Sequence, residues 1–140
     1  MNAVRIKWWL RICSRFLPLI ALLCFSVPSI EVVKAADISK ADNLDNLTAG
    51  NSWDGGTAPG TGDIGVFDSV YTQSGSLNTG GLLEIGGIRV TSPSSAVVIN
   101  NSSGGQEIAV GTSGIDLSTA TQNLNIQRVR VDATQTWDVA

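Results

Sequence analysis

Apolar residues in this chain alternate with polar ones over very short runs, and turn-forming residues separate the runs. Ile88 and Val90, Val97 and Ile99, Ile108 and Val110, Ile115 and Leu117, and Leu124 and Ile126 each make an apolar–variable–apolar triplet. A period of two marks a strand with one buried and one wet face. The Gly, Ser, Thr and Asn between them, with Pro93, are turn formers. Short strands are therefore predicted over 82–85, 88–90, 97–99, 108–110, 115–117, 124–126, 129–131 and 137–139. Arg128 and Arg130 alternate with Val129 and Val131 and are expected to point outward.

The pattern repeats. Residues 87–99 read G-I-R-V-T-S-P-S-S-A-V-V-I and residues 114–126 read G-I-D-L-S-T-A-T-Q-N-L-N-I, an offset of 27 held over every position. A 27-residue contour of about 90 Å suits one coil of a three-sided solenoid, at about 3.3 Å per strand residue. The expected fold is all-β, a right-handed parallel β-helix of about 27 residues per coil. Stacked coils would set Ile88 over Ile115, Val90 over Leu117 and Val97 over Leu124. The run Thr136-Trp-Asp-Val-Ala140, 29 residues after Ile108, reads as another short strand of the same pattern. An antiparallel β-sandwich with a chance near-repeat is the alternative.

Upstream the character changes. Residues 1–35 read as a signal peptide: a basic start (Arg5, Lys7, Arg11, Arg15), a twelve-residue apolar core over 16–27, and Val33-Lys34-Ala35 as cleavage signal. Twelve apolar residues fall short of the roughly 20 that cross a bilayer. Residues 36–51 are polar with scattered leucines, a linker or an irregular first coil built on Leu44 and Leu47. Residues 52–81 form a Gly-rich N-terminal cap in which Trp53, Ile64, Val66 and Phe67 would plug the exposed first coil. Residues 82–140 carry the solenoid coils. The rhythm still runs at Val139, which reads as the N-terminal part of a longer or truncated protein.

Composition narrows the function classes. Residues 1–35 hold five of the nine basic and one of the twelve acidic residues, which leaves 4 and 11, a net charge of −7. Such a surface disfavours nucleic acid and anionic membranes as partners. Cys13 and Cys24 both lie in the leader, so the exported chain has no thiol. It also has no histidine, which excludes His-based triads and the commonest metal ligand. Asp42, Asp45 and Asp54 do not match a calcium loop, whose terminal Glu is missing. They are expected to be turn aspartates. Arg89 and Asp116 hold equivalent repeat positions and are expected to pair across strands rather than act as a catalytic couple. No catalytic, cofactor-binding or metal-ligating residue is assigned, and Trp53 is read as packed rather than as a sugar platform.

The passages W-D-G-G-T-A-P-G-T-G-D-I-G-V-F (53–67), I-G-G-I-R-V (85–90), V-G-T-S-G-I-D-L-S (110–118), L-N-I (124–126) and T-W-D-V (136–139) resemble autotransporter-associated β-strand repeat proteins. That family comprises large secreted or surface proteins of bacteria with parallel β-helical passenger-like regions. Its members usually continue through many coils to a translocator barrel or a sorting anchor. The resemblance covers residues 52–140 and is carried by turn glycines and strand apolars. It implies a secreted or cell-surface structural or adhesive module without catalysis, exported by the general secretory route. Its implied partners are further β-helical coils of a longer chain, or a surface or carbohydrate ligand. A carbohydrate-active or carbohydrate-binding β-helix is the alternative.

Overall fold

The computed structural model describes residues 34–101 and 103–140. The predicted leader therefore lies outside the described residues except for Lys34 and Ala35. Nine strands follow: β1 (Asp37–Ser39), β2 (Ile64–Phe67), β3 (Ser76–Leu77), β4 (Leu82–Val90), β5 (Val97–Ile99), β6 (Glu107–Leu117), β7 (Leu124–Ile126), β8 (Val129–Val131) and β9 (Trp137–Val139). Every strand ladder is parallel. One sheet runs β1-β2-β4-β6-β8 with β9 also on β6, and a second runs β3-β5-β7. This is a parallel β-solenoid of about four turns.

Three sides arise because β4 and β6 each turn a corner. Residues Leu82 to Ile85 of β4 lie beside Glu107 to Val110, and Gly87 to Arg89 lie beside Gly114 to Asp116. Between them the register shifts, because β6 takes Gly111 to Ser113 round a bend that β4 makes with Gly86 alone. A side chain on Gly86 would press on the Asp63 and Thr61 carbonyls at 2.7 and 2.9 Å, so the tight corner needs glycine.

Turn length is not constant. Asp37 pairs with Ile64, Ile64 with Gly87, Gly87 with Gly114 and Ile115 with Trp137, so successive turns take 27, 23, 27 and 22 residues. The 27-residue repeat is real: Ile88 pairs with Ile115, Val97 with Leu124 and Ile99 with Ile126. The strand read at 137–139 is present as β9, stacked beside Ile115 to Leu117, while Val129 takes the place beside Ile108. Loops at the corners absorb the differences because the strand cores alone are constrained to stack.

The interior is built in columns. Leu77, Ile99 and Ile126 form one, Leu83, Ile108 and Val129 a second, and Ile38, Gly65, Ile88, Ile115 and Trp137 a third. Gly65 is the break in the third column. A Cβ there would meet the Trp53 ring at 2.8 Å and Ile85 Cδ1 at 2.9 Å, so Trp53 fills the space instead. Trp53 is buried, stands edge-on to Phe67 at 6.1 Å, and donates Nε1–H to the Leu47 carbonyl at 2.7 Å. Phe67 in turn meets Tyr71 edge-on at 5.6 Å.

The parallel ladder begins upstream of the regular pattern, at Asp37, and Leu47 belongs to the core while Leu44 is exposed. Trp53 and Phe67 are buried in the interior at this end. Val66 is buried as well, although it lies one residue out of phase with Gly65 and Phe67 and outside their contiguous cluster, while Ile64 is only partly buried.

Candidate functional site

Three features concentrate chemistry on this scaffold: two ion clusters on its outside and a buried lysine at its N-terminal end. The first cluster centres on Arg89. Its register partner is Asp116, and Nε reaches Oδ2 at 2.9 Å while Nη1 reaches Asp37 Oδ2 at 2.7 Å. Arg89 thus ties together turns separated by 27 and 52 residues of sequence. The hydrogen bond from Arg89 to Asp116 holds the guanidinium pKa above its ordinary value. Asp116 is held below the usual carboxylate range, first by the Ser118 hydroxyl and N–H and then by Arg89.

The second cluster centres on Arg130, which meets three carboxylates: Asp132 in a bidentate pair, Glu107 at 2.9 Å and Glu84 at 3.6 Å. Asp132 is held below the usual range by Arg130, and Arg130 is raised by Asp132 above all. Both arginines expected at this edge do face outward, but only Arg130 is ion-paired among the described residues. Arg128 makes one long contact, to the Gln106 carbonyl at 3.5 Å.

Lys40 was not singled out by sequence reasoning, yet it is fully buried. Alternation from Ile38 places it on the interior side, and its Nζ donates to Ala41 O (2.9 Å), Asn43 O (2.8 Å) and Asn43 Oδ1 (2.9 Å). The ammonium also lies 5.4 Å from the Tyr71 ring centre. Burial lowers the Lys40 pKa to about 8, against the pull of Asp45 and Asp42. Burial likewise raises Tyr71, whose hydroxyl finds no partner among the described residues. Asn101 is another buried polar residue, as are Ser52 and Thr79. Its side chain donates to the Arg128 carbonyl and accepts the Arg128 N–H at 2.8 Å, locking one turn to the next. The signal was parity: Asn101 continues the inward series Val97, Ile99.

Two of the aspartates considered for calcium accept hydrogen bonds from neighbouring segments. Asp42 accepts from Thr72 N–H (2.8 Å), Thr72 Oγ1 and Gln73, which hold it below the usual carboxylate range. Asp45 accepts from Asn51 at 2.6 Å. Among the described residues no group of three potential metal ligands converges. Trp53 is inside the core and offers no face to a sugar.

The last turn of the described residues borders a cavity of about 190 Å³, lined by Ile115, Leu117, Leu124, Ile126, Val129 and Trp137. Val131, Trp137 and Val139 are each about half exposed or more. The arrangement is capable of extension by further coils or of lateral packing of strand on strand.

Compared with protein families, curated proteins and solved structures, the chain matches none. The parallel solenoid itself is compatible with a passenger-like β-helix and with other β-solenoids alike.

Proposed function

We propose that this protein is an exported structural or adhesive module, a β-solenoid scaffold of the autotransporter-passenger kind that works without catalysis. The observation that carries this reading is how the outer charges are used. Arg89 and Arg130 join carboxylates on successive turns, so the polar exterior serves to fasten coils rather than to gather acids around a substrate. An apolar leader with a basic start supports export to the cell surface or medium. The stacked ladder supports a partner made of β-strand, such as further coils of the same pattern.

The test is expression of the full chain in a bacterium, followed by fractionation and intact mass. The expected product begins at Ala36, lies outside the cytoplasm and releases no sugar from a polysaccharide panel. A chain retained in the cytoplasm with residues 1–35 intact overturns the export reading. Saccharide release lost on Asp116→Asn overturns the non-catalytic one.

A further inference from the structure

Charge is unevenly placed on the solenoid. Residues 69–81, 91–106 and 118–127 carry β3, β5 and β7 and hold no Lys, Arg, Asp or Glu. Every charged side chain of the described residues lies outside these three runs. We propose that the outer face of the β3-β5-β7 sheet is a docking surface for a neutral polysaccharide chain. The inference rests on the adhesive reading and deepens it by assigning it a face and a class of ligand.

Alternation fixes what the face presents. Leu77, Val97 and Ile99 are buried inside, so Ser76, Val98 and Asn125 lie side by side across the three strands on the outside. Asn78, Asn123 and Gln127 continue the same outward series by two residues. The bonds from Val97 N–H to Asn123 O and from Gln127 N–H to Ile99 O carry the ladder past the strand ends and keep these flanks in register. All of these outward residues are exposed except Val98, which is partly buried. Among the described residues, the side chains of Ser76, Asn78, Asn123, Asn125 and Gln127 make no hydrogen bond within the chain. The first sheet is the reverse: there Arg89 and Arg130 bind carboxylates of neighbouring turns.

Chemistry selects the occupant. A charged polymer is held by opposite charge, and this face offers none. A protein partner, a second copy included, is anchored by large aromatic, apolar or arginine side chains, and the face brings only Val98. Hydroxyls and carboxamides both donate and accept hydrogen bonds, as the hydroxyls of a sugar do. Parallel stacking repeats these groups about every 4.8 Å across the strands and about every 6.6 Å along them. A linear polymer laid across the sheet therefore meets polar groups of one kind at successive sugars. Val98 gives the apolar C–H side of a ring a seat between Ser76 and Asn125. Recognition then comes from weak contacts repeated along the polymer rather than from stacking on an aromatic ring.

Residues 34–140 form one compact unit with their own core, so they can be tested alone. The probes are dextran and hydroxyethylcellulose in affinity gels, chitin particles in a sedimentation assay, and polygalacturonate as the charged control. Retardation or co-sedimentation is expected with at least one of the three neutral glycans, unchanged in high salt, and not with polygalacturonate. Asn125→Asp puts a charge on the face and is expected to weaken binding about tenfold. Glu84→Gln, on the first sheet, is expected to leave it unchanged. Should Asn125→Asp unfold by circular dichroism, Gln127→Glu serves in its place. Binding to none of the neutral glycans overturns the proposal, as does binding indifferent to both face variants. Binding to polygalacturonate that high salt abolishes overturns it too. So does a dimer in sedimentation equilibrium that Asn125→Asp dissociates, which gives the face to a second copy. Export is read from fractionation and catalysis from saccharide release, so a failure here leaves both readings standing.

Discussion

Raising the pH from 7 to 10 is expected to stabilise this fold, against the usual behaviour of an acidic protein, and Lys40 is the reason. Its Nζ is shut inside the N-terminal end, and its pKa falls from 10.5 to about 8. Between those values the unfolded chain holds a proton that the folded chain has released, so stability rises with pH across that window. Below about pH 8 both states are protonated and the dependence flattens. At 1.36 kcal/mol per pKa unit, the burden of the charged lysine is about 3 kcal/mol at pH 7 and under about 1 kcal/mol at pH 10. The expected gain is therefore about 2–3 kcal/mol between those two values. Tyr71 sets the upper limit: its raised pKa means the unfolded chain releases that proton first, so stability falls again as pH rises beyond about 10. Urea unfolding followed by circular dichroism at pH 7, 8, 9 and 10 measures the curve. Lys40→Met is expected to flatten it between pH 7 and 10. A wild-type curve that is level or falling there, or a rise that survives in Lys40→Met, would refute the reasoning.

Three other substitutions separate what holds the solenoid from what decorates it. Trp53→Ala empties the space over Gly65 and is expected to cost about 3–5 kcal/mol, read as a lowered urea midpoint. Asn101→Ala strands both backbone groups of Arg128 and is expected to cost about 1–3 kcal/mol, with faster amide exchange at Arg128. Arg89→Ala breaks two partly exposed ion pairs, for which a loss under about 1 kcal/mol is expected, shrinking further in high salt.

The strands themselves were legible because each signals its own alternation. All eight triplets or longer runs from residue 82 onward form strands, and the pairing of Arg89 with Asp116 followed from the 27-residue offset alone. What stayed hidden lies where two cues conflict. In residues 36–51, polarity speaks for a linker, yet Ile38 and Lys40 alternate inward, and three residues of β1 suffice to start the ladder. Lys40 is interior because three oxygens and an aromatic ring receive its ammonium, a tertiary arrangement that no local pattern encodes. Asn101 resembles a turn residue by type and a core residue by phase, and phase prevails because its amide matches both groups of Arg128. The 27-residue offset does not carry to every turn because turn length is free to vary while stacking is not.

The central claim is parallel stacking, and paired cysteines in the thiol-free segment 34–140 test it most directly. Leu82 lies beside Glu107 and Arg89 beside Asp116 when β4 and β6 run parallel, and all four side chains are at least partly exposed. The account predicts that the pairs Leu82→Cys with Glu107→Cys and Arg89→Cys with Asp116→Cys each close an intramolecular disulfide on mild oxidation. Closure instead of Leu82→Cys with Asp116→Cys and of Arg89→Cys with Glu107→Cys would mean antiparallel strands and would contradict the solenoid.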